Sequence, residues 1–269
     1  MLLAQSLLLA ALLSQAGEPA YQGAKMVKFD AGEFIMGCTP VTDRKCQADE
    51  QPVRKVTLAA FEIDSREVTV GEYAMCVGAG KCTKPLLKAD NKHCNYGEPD
   101  RTDNPANCVS WVQAVEYCTF AGKRLPTEAE WERAARGTDG RDFPWGKDPA
   151  DCQHAVIHAS PDGKSPKAEG CGLVSTWPSC QKVKGNTPEG VCDMLGNVWE
   201  WVADWYAADY YAAAPSANPA GPAAGTERVL KGGAFTSEME ETFRASVRLH
   251  FTPDTALGNF GFRCARSVP

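Results

Sequence analysis

Cysteine is the residue type with the most chemistry to offer in this chain: twelve of its 269 residues are cysteines. A thiolate can bind a soft metal, attack a carbonyl or pair with another cysteine. Metal sites usually bring cysteines in tight pairs of the C-x-x-C kind. The shortest spacing here is Cys76 to Cys82, so no such pair exists. An even count without metal spacing predicts disulfides, and with them an oxidising compartment. Spacing alone leaves the connectivity open. Cys38–Cys46, Cys94–Cys108, Cys152–Cys171 and Cys180–Cys192 follow only from proximity, and Cys76–Cys82 from a short gap loosened by Gly78 and Gly80.

Histidine offers less. His154 and His158 lie four apart, a spacing that would set two metal ligands on one face of a helix. The intervening Ala-Val-Ile reads equally as a strand, no helix cap precedes it, and no third ligand is evident. A structural role is the better reading. His93 and His250 have no carboxylate or nucleophile partner in sequence. No G-x-S-x-G elbow, phosphate loop or H-E-x-x-H is present. An aromatic group (Trp199, Trp201, Trp205, Tyr206, Tyr210 and Tyr211) leads into a Pro/Ala/Gly stretch at 212–225. Trp199 and Trp201 read as core, whereas the tyrosines beside so loose a segment are candidates for lining a peptide or glycan groove.

The elements that position these residues are short. Thr69-Val-Gly-Glu72, Ser110-Trp-Val-Gln113 and Thr127-Glu-Ala-Glu130 are capping boxes. Each precedes apolar residues at helical spacing, then a glycine at 78, 122 or 137 placed to end the helix. Phe243, Ala245, Val247, Leu249 and Phe251 alternate with Arg244, Ser246, Arg248 and His250, which predicts a half-buried strand. Residues 53–63 and 228–231 are weaker strand candidates. Long Gly/Pro/Asp-rich stretches at 83–107, 138–190 and 206–227 hold many of the cysteines. The expectation is one loop-rich α+β domain held by staples.

Composition narrows the partners. A 43% hydrophobic and 23% charged make-up is ordinary for a globular protein, and the net charge of −6 is dispersed. Nucleic acid or an anionic membrane surface would call for a basic patch that is absent. Residues 2–13 form an apolar run, too short to span a bilayer, with Ser14-Gln15-Ala16 behind it. No Lys or Arg precedes the run. Residues 1–16 read as an export signal cleaved near Ala16. That predicts a periplasmic or extracellular protein with no membrane insertion after cleavage.

Six blocks in order carry a resemblance: GEFIMG at 32–37 with DEQP at 49–52 and EVT at 67–69; GKRLPTEAEWE at 122–132; FPWG at 143–146; DMLGNVWEW at 193–201; RVLKGG at 228–233; and GFRCA at 261–265. The series closely resembles the formylglycine-generating enzyme, or sulfatase-modifying factor, family over about residues 26–265. The resemblance implies a mixed α/β fold related to C-type lectins and poor in regular structure. It also implies oxidation of a substrate cysteine to formylglycine, using oxygen and a copper ion held by two thiolates. Those two positions fall near Ser237 and Thr242, and no cysteine lies between Cys192 and Cys264. A hydroxyl cannot replace a thiolate in such a site, so neither copper nor the family's oxidase chemistry is expected.

The resemblance further implies one calcium ion, bound by the side chains of Asp193 and Glu200 and the carbonyls of Gly196 and Val198. Hard oxygens on a tight Gly-Asn turn suit that ion. On spacing alone, the two acids could equally satisfy turn backbone groups. A second calcium site near Ala155 and Val156 lacks its usual Asn and is not expected. The resemblance also links Cys118 to Cys264. Together these readings describe an exported, non-oxidase relative that binds a protein, peptide or glycan. The alternative is a protein-modifying oxidoreductase acting through residues other than the usual cysteine pair.

Overall fold

The computed structural model describes residues 23–38, 46–85, 93–141, 143–238 and 243–268. Strands β1 (Met26–Phe29), β2 (Gly32–Met36), β3 (Arg54–Leu58) and β4 (Phe61–Asp64) precede helices α1 (Val70–Gly78), α2 (Trp111–Phe120) and α3 (Glu128–Arg136). Then come β5 (Trp199–Trp205), the short helix α4 (Tyr210–Ala213), β6 (Arg228–Lys231), β7 (Leu249–Phe251), β8 (Phe260–Gly261) and β9 (Ala265–Ser267). The class is α+β, rich in loops, with long irregular runs between α1 and α2 and between α3 and β5.

The three capping boxes open the three longer helices. Thr69, Ser110 and Thr127 each accept from the backbone N–H three residues on, and Glu72, Gln113 and Glu130 return the bond. Gly122 and Gly137, at φ of 67° and 64°, take the left-handed conformation where α2 and α3 stop. At α1 that role moves two residues on. Gly78 is still helical, and Gly80 has φ of 66°.

Three sheets share the chain. β4 lies between β1 and β9, β2 pairs with β3, and the four-stranded sheet runs β7-β6-β5-β8. The candidate strand at 53–63 is therefore two strands in two sheets. Between them the Ala59 N–H is drawn off to Asn218 Oδ1 at 2.7 Å. The alternation at 243–251 yields a strand only over its last three residues. The sequence pattern assumed that its polar half faces water, but Arg244, Ser246 and Arg248 are all buried. Arg244 reaches Glu50 and Arg248 reaches Glu128, and the backbone turns to deliver them.

One core gathers between α3 and the first four strands around Phe34, Phe61, Ile63 and Trp131. A second lies beneath α1 and α2 around Tyr73, Tyr117, Trp201 and Phe262. Across them the cysteines pair as Cys38–Cys46, Cys76–Cys82, Cys94–Cys108, Cys118–Cys264, Cys152–Cys171 and Cys180–Cys192, leaving no free thiol. Six disulfides point to an oxidising, exported compartment. No helix among the described residues is long and apolar enough to cross a membrane. The leader expected at 1–16 lies outside the described residues.

Candidate functional site

The turn after Gly233 follows β6, the inner strand that runs beside β5. The Ala234 N–H donates to Ser237 Oγ at 2.9 Å, and the Ser237 N–H donates to Ala234 O at 2.8 Å. The Ser237 hydroxyl thus closes its own turn, and the residue is buried. Its carbonyl accepts from the His158 N–H at 3.0 Å, and the His158 ring faces Glu238 at 3.3 Å. Thr242 lies outside the described residues. Ser237 is built into the local backbone as a structural hydroxyl, with no thiol within this turn.

The DMLGNVWEW block forms the turn that leads into β5. Gly196 has φ of 92°, and a Cβ there would sit 2.8 Å from Val156 O, so only glycine fits. Asn197, also left-handed at φ 60°, accepts from the Trp177 N–H at 2.9 Å and donates to Trp177 O at 3.2 Å. Asp193 has φ of 53° and accepts from the Cys180 N–H at 2.5 Å. Val198 is fully buried behind this turn. Glu200, in β5, accepts from the Trp131 indole N–H at 2.8 Å and from Arg263 Nε and Nη2 at 2.7 and 2.6 Å.

These contacts test the calcium set. The Asp193 carboxylate is a hard oxygen donor in a tight loop and fits the ion. The Glu200 carboxylate is a hard oxygen donor too, and its two oxygens already accept from the Arg263 guanidinium and the Trp131 indole. Two neighbours that sequence spacing did not single out complete the region. Glu67 is wholly buried and lies against Asp193, and Arg263 is wholly buried against Glu200. Burial, then the nearby Asp193 and Glu200 charges, push the Glu67 carboxyl well above the usual carboxylate range. Burial raises Asp193 as well. Both newcomers sit inside quoted blocks, EVT and GFRC, which was the available signal.

The two histidines at 154 and 158 do not converge on a ligand. His154 pairs with Asp151 at 2.8 Å and stacks on Trp145, whereas His158 faces Glu238. The metal-like group Cys180, Cys192 and Asp193 has both sulfurs joined in a disulfide. The aromatic group splits. Trp199, Trp201 and Tyr211 are buried, with the Tyr211 hydroxyl donating to Glu128. Trp205 and Trp111 both stack on the Arg228 guanidinium, at 3.4 and 3.8 Å. Tyr206 lines an open cavity, of about 780 Å³, with Asp49, Gln51, Asp209, Leu249 and His250. Its ring stacks on His250 at 3.7 Å, and its hydroxyl donates to Asp49 at 2.9 Å.

Residues 12–268 match the sulfatase-modifying factor enzyme 1-like domain. The chain belongs to that family. A formylglycine-generating enzyme from Thermomonospora curvata is 42% identical, over 89% of this chain and 92% of its own length. A mouse relative named inactive C-alpha-formylglycine-generating enzyme 2 is 31% identical, over 95% of this chain and 88% of its own. Among solved structures, PvdO from Pseudomonas aeruginosa superposes with a TM-score of 0.75 at 29% identity, covering 94% of this chain and all of that one. The relatives similar to this chain thus include one named as a formylglycine-generating enzyme and one named as inactive.

Proposed function

We propose that this chain is a sulfatase-modifying factor domain without the family's copper-dependent oxidase chemistry, acting after export as a binding domain for a peptide or glycan. One observation carries the reading. Every cysteine is committed to a disulfide, and the first position expected to hold copper is Ser237, whose hydroxyl is used in its own turn. Oxidation of a substrate thiol on copper needs a free thiolate pair to hold Cu(I), and none is left.

The binding surface in this reading is the cavity around Tyr206. Its acids and amide match sugar hydroxyls or peptide N–H groups, and its stacked Tyr206–His250 pair offers a flat apolar wall. Residues 1–16 act as the leader. A calcium ion at the Asp193 turn steadies the scaffold.

A sulfatase-type peptide incubated with the protein, copper and oxygen tests the chemistry. No aldehyde by mass spectrometry is the expected result, and formation of formylglycine would overturn the reading. Glycan and peptide arrays probe the binding. Signal lost in Tyr206→Ala is expected, and an array blank with and without calcium would leave a purely structural domain.

A further inference from the structure

One ring in the wall of the Tyr206 cavity is held from behind by a carboxylate. His250 Nδ1 lies 2.8 Å from Glu227 Oε2, and Glu227 stands outside the lining of the cavity. An ionised carboxylate can only accept, so the neutral ring carries its proton on Nδ1. Nε2 is then left as an acceptor. Among the described residues nothing donates to it. The Tyr206 ring, 3.7 Å away and tilted by only 13°, holds the plane of the imidazole.

The charged groups around this ring divide into engaged donors and open acceptors. Arg248 gives Nε and Nη2 to Glu128, and Nη1 to the carbonyls of Asp49 and Ala207. Lys231, in the neighbouring strand β6, is buried against Glu128 and Glu132. The Tyr206 hydroxyl gives its proton to Asp49 Oδ2. Burial, then that bond, push this hydroxyl up to about 12, so its proton stays in place. No described residue pairs with Asp49 Oδ1 or with the carboxylate of Asp209, which caps no N–H of α4. A peptide N–H suits acceptors of this kind, and a peptide carboxylate does not.

We propose that the Tyr206 cavity binds a peptide through N–H groups, one of them donated to His250 Nε2, and that protonation of His250 releases it. This rests on the binding reading above and chooses a peptide over a glycan. A second proton on the ring occupies Nε2 and turns it into a donor. A peptide N–H then faces another N–H. A sugar hydroxyl would rotate and accept instead, so a glycan would lose little. Glu227 stays paired with the ring in both states, which confines the change to Nε2. The groups facing the ring are Glu227, Tyr206, Asp49, Asp209 and Arg248. Of these side-chain types, only an imidazole ordinarily changes charge between about pH 5 and pH 8.

The test reads peptide and glycan arrays with the full chain at about pH 8 and about pH 5.5, across the range where an imidazole changes charge. Peptide signals that need Tyr206 should fall at least about tenfold at the lower pH, the cost of leaving a donor unmatched. The same peptides should bind His250→Gln nearly alike at both. An equal fall in that variant would overturn the proposal. If the variant fails to fold, nitrogen NMR of the wild-type imidazoles gives a second readout. The neutral His250 ring should carry its proton on Nδ1, and a proton on Nε2 would overturn the proposal. Glycans bound through Tyr206 with peptides silent would keep the cavity as a binding surface and overturn the peptide assignment. Arrays blank at both pH values would overturn both.

Discussion

Arg263, just beyond β8, grips Glu200 of β5 through Nε and Nη2 at 2.7 and 2.6 Å, and neither side chain reaches solvent. The parallel pairing of β5 with β8 sets Glu200 beside Gly261, two residues before the arginine. The pair ties the final block of the chain to the turn that begins at Asp193.

Removing one partner strands the other charge in the core. Arg263→Met should therefore cost about 3–5 kcal/mol, read as a lower urea midpoint. A loss under about 1 kcal/mol would show that water or another cation reaches Glu200.

The disulfides should differ in worth by the loops they close. Cys118–Cys264 spans 146 positions and Cys76–Cys82 spans 6. Chain entropy then predicts losses of about 5 and about 2 kcal/mol on replacing each pair with alanines. Equal losses in denaturant melts would mean that native-state strain or residual unfolded structure governs both.

Thiol chemistry gives a direct check on the cysteines. The unreduced protein, unfolded in denaturant, should show no reactive thiol until reductant is added. Two thiols titrating at once would reopen the oxidase reading.

Asp204 should leave a mark on stability against pH. Burial, then the charge of Glu128, lifts its carboxyl to about 8. In the unfolded chain it ionises near 4, so the folded state holds the extra proton between those values. Stability from this group is present below about pH 4 and lost as pH rises towards 8, by up to about 1.4 kcal/mol per pH unit. Asp204→Asn keeps an acceptor for the Glu128 N–H and should flatten that descent. Parallel wild-type and variant melts at pH 5, 6.5 and 8 would contradict it.

Local signals proved readable wherever a few neighbouring residues settle the matter. The capping boxes at Thr69, Ser110 and Thr127 are contests between nearby side chains and backbone groups, so their outcome is present in four residues of sequence. The α+β class and the ordered family blocks were legible for the same reason. The pattern at 243–251 misled, because period two records which residues are apolar and not whether the polar ones find buried partners. Arg244 and Arg248 turn inward only because Glu50 and Glu128 arrive from 194 and 120 positions away.

The site divides along the same line. Sequence alone determined that no cysteine follows Gly233 before Cys264, and therefore that Ser237 brings a hydroxyl where the family pattern places a thiolate. It also marked Asp193 and Glu200 as two acids around one turn. Only the tertiary structure decided that Glu200 belongs to Arg263 while Asp193 meets Glu67. Carboxylate chemistry is the same in any sequence, but which charge neutralises it depends on the strands and loops that fold brings within about 3 Å.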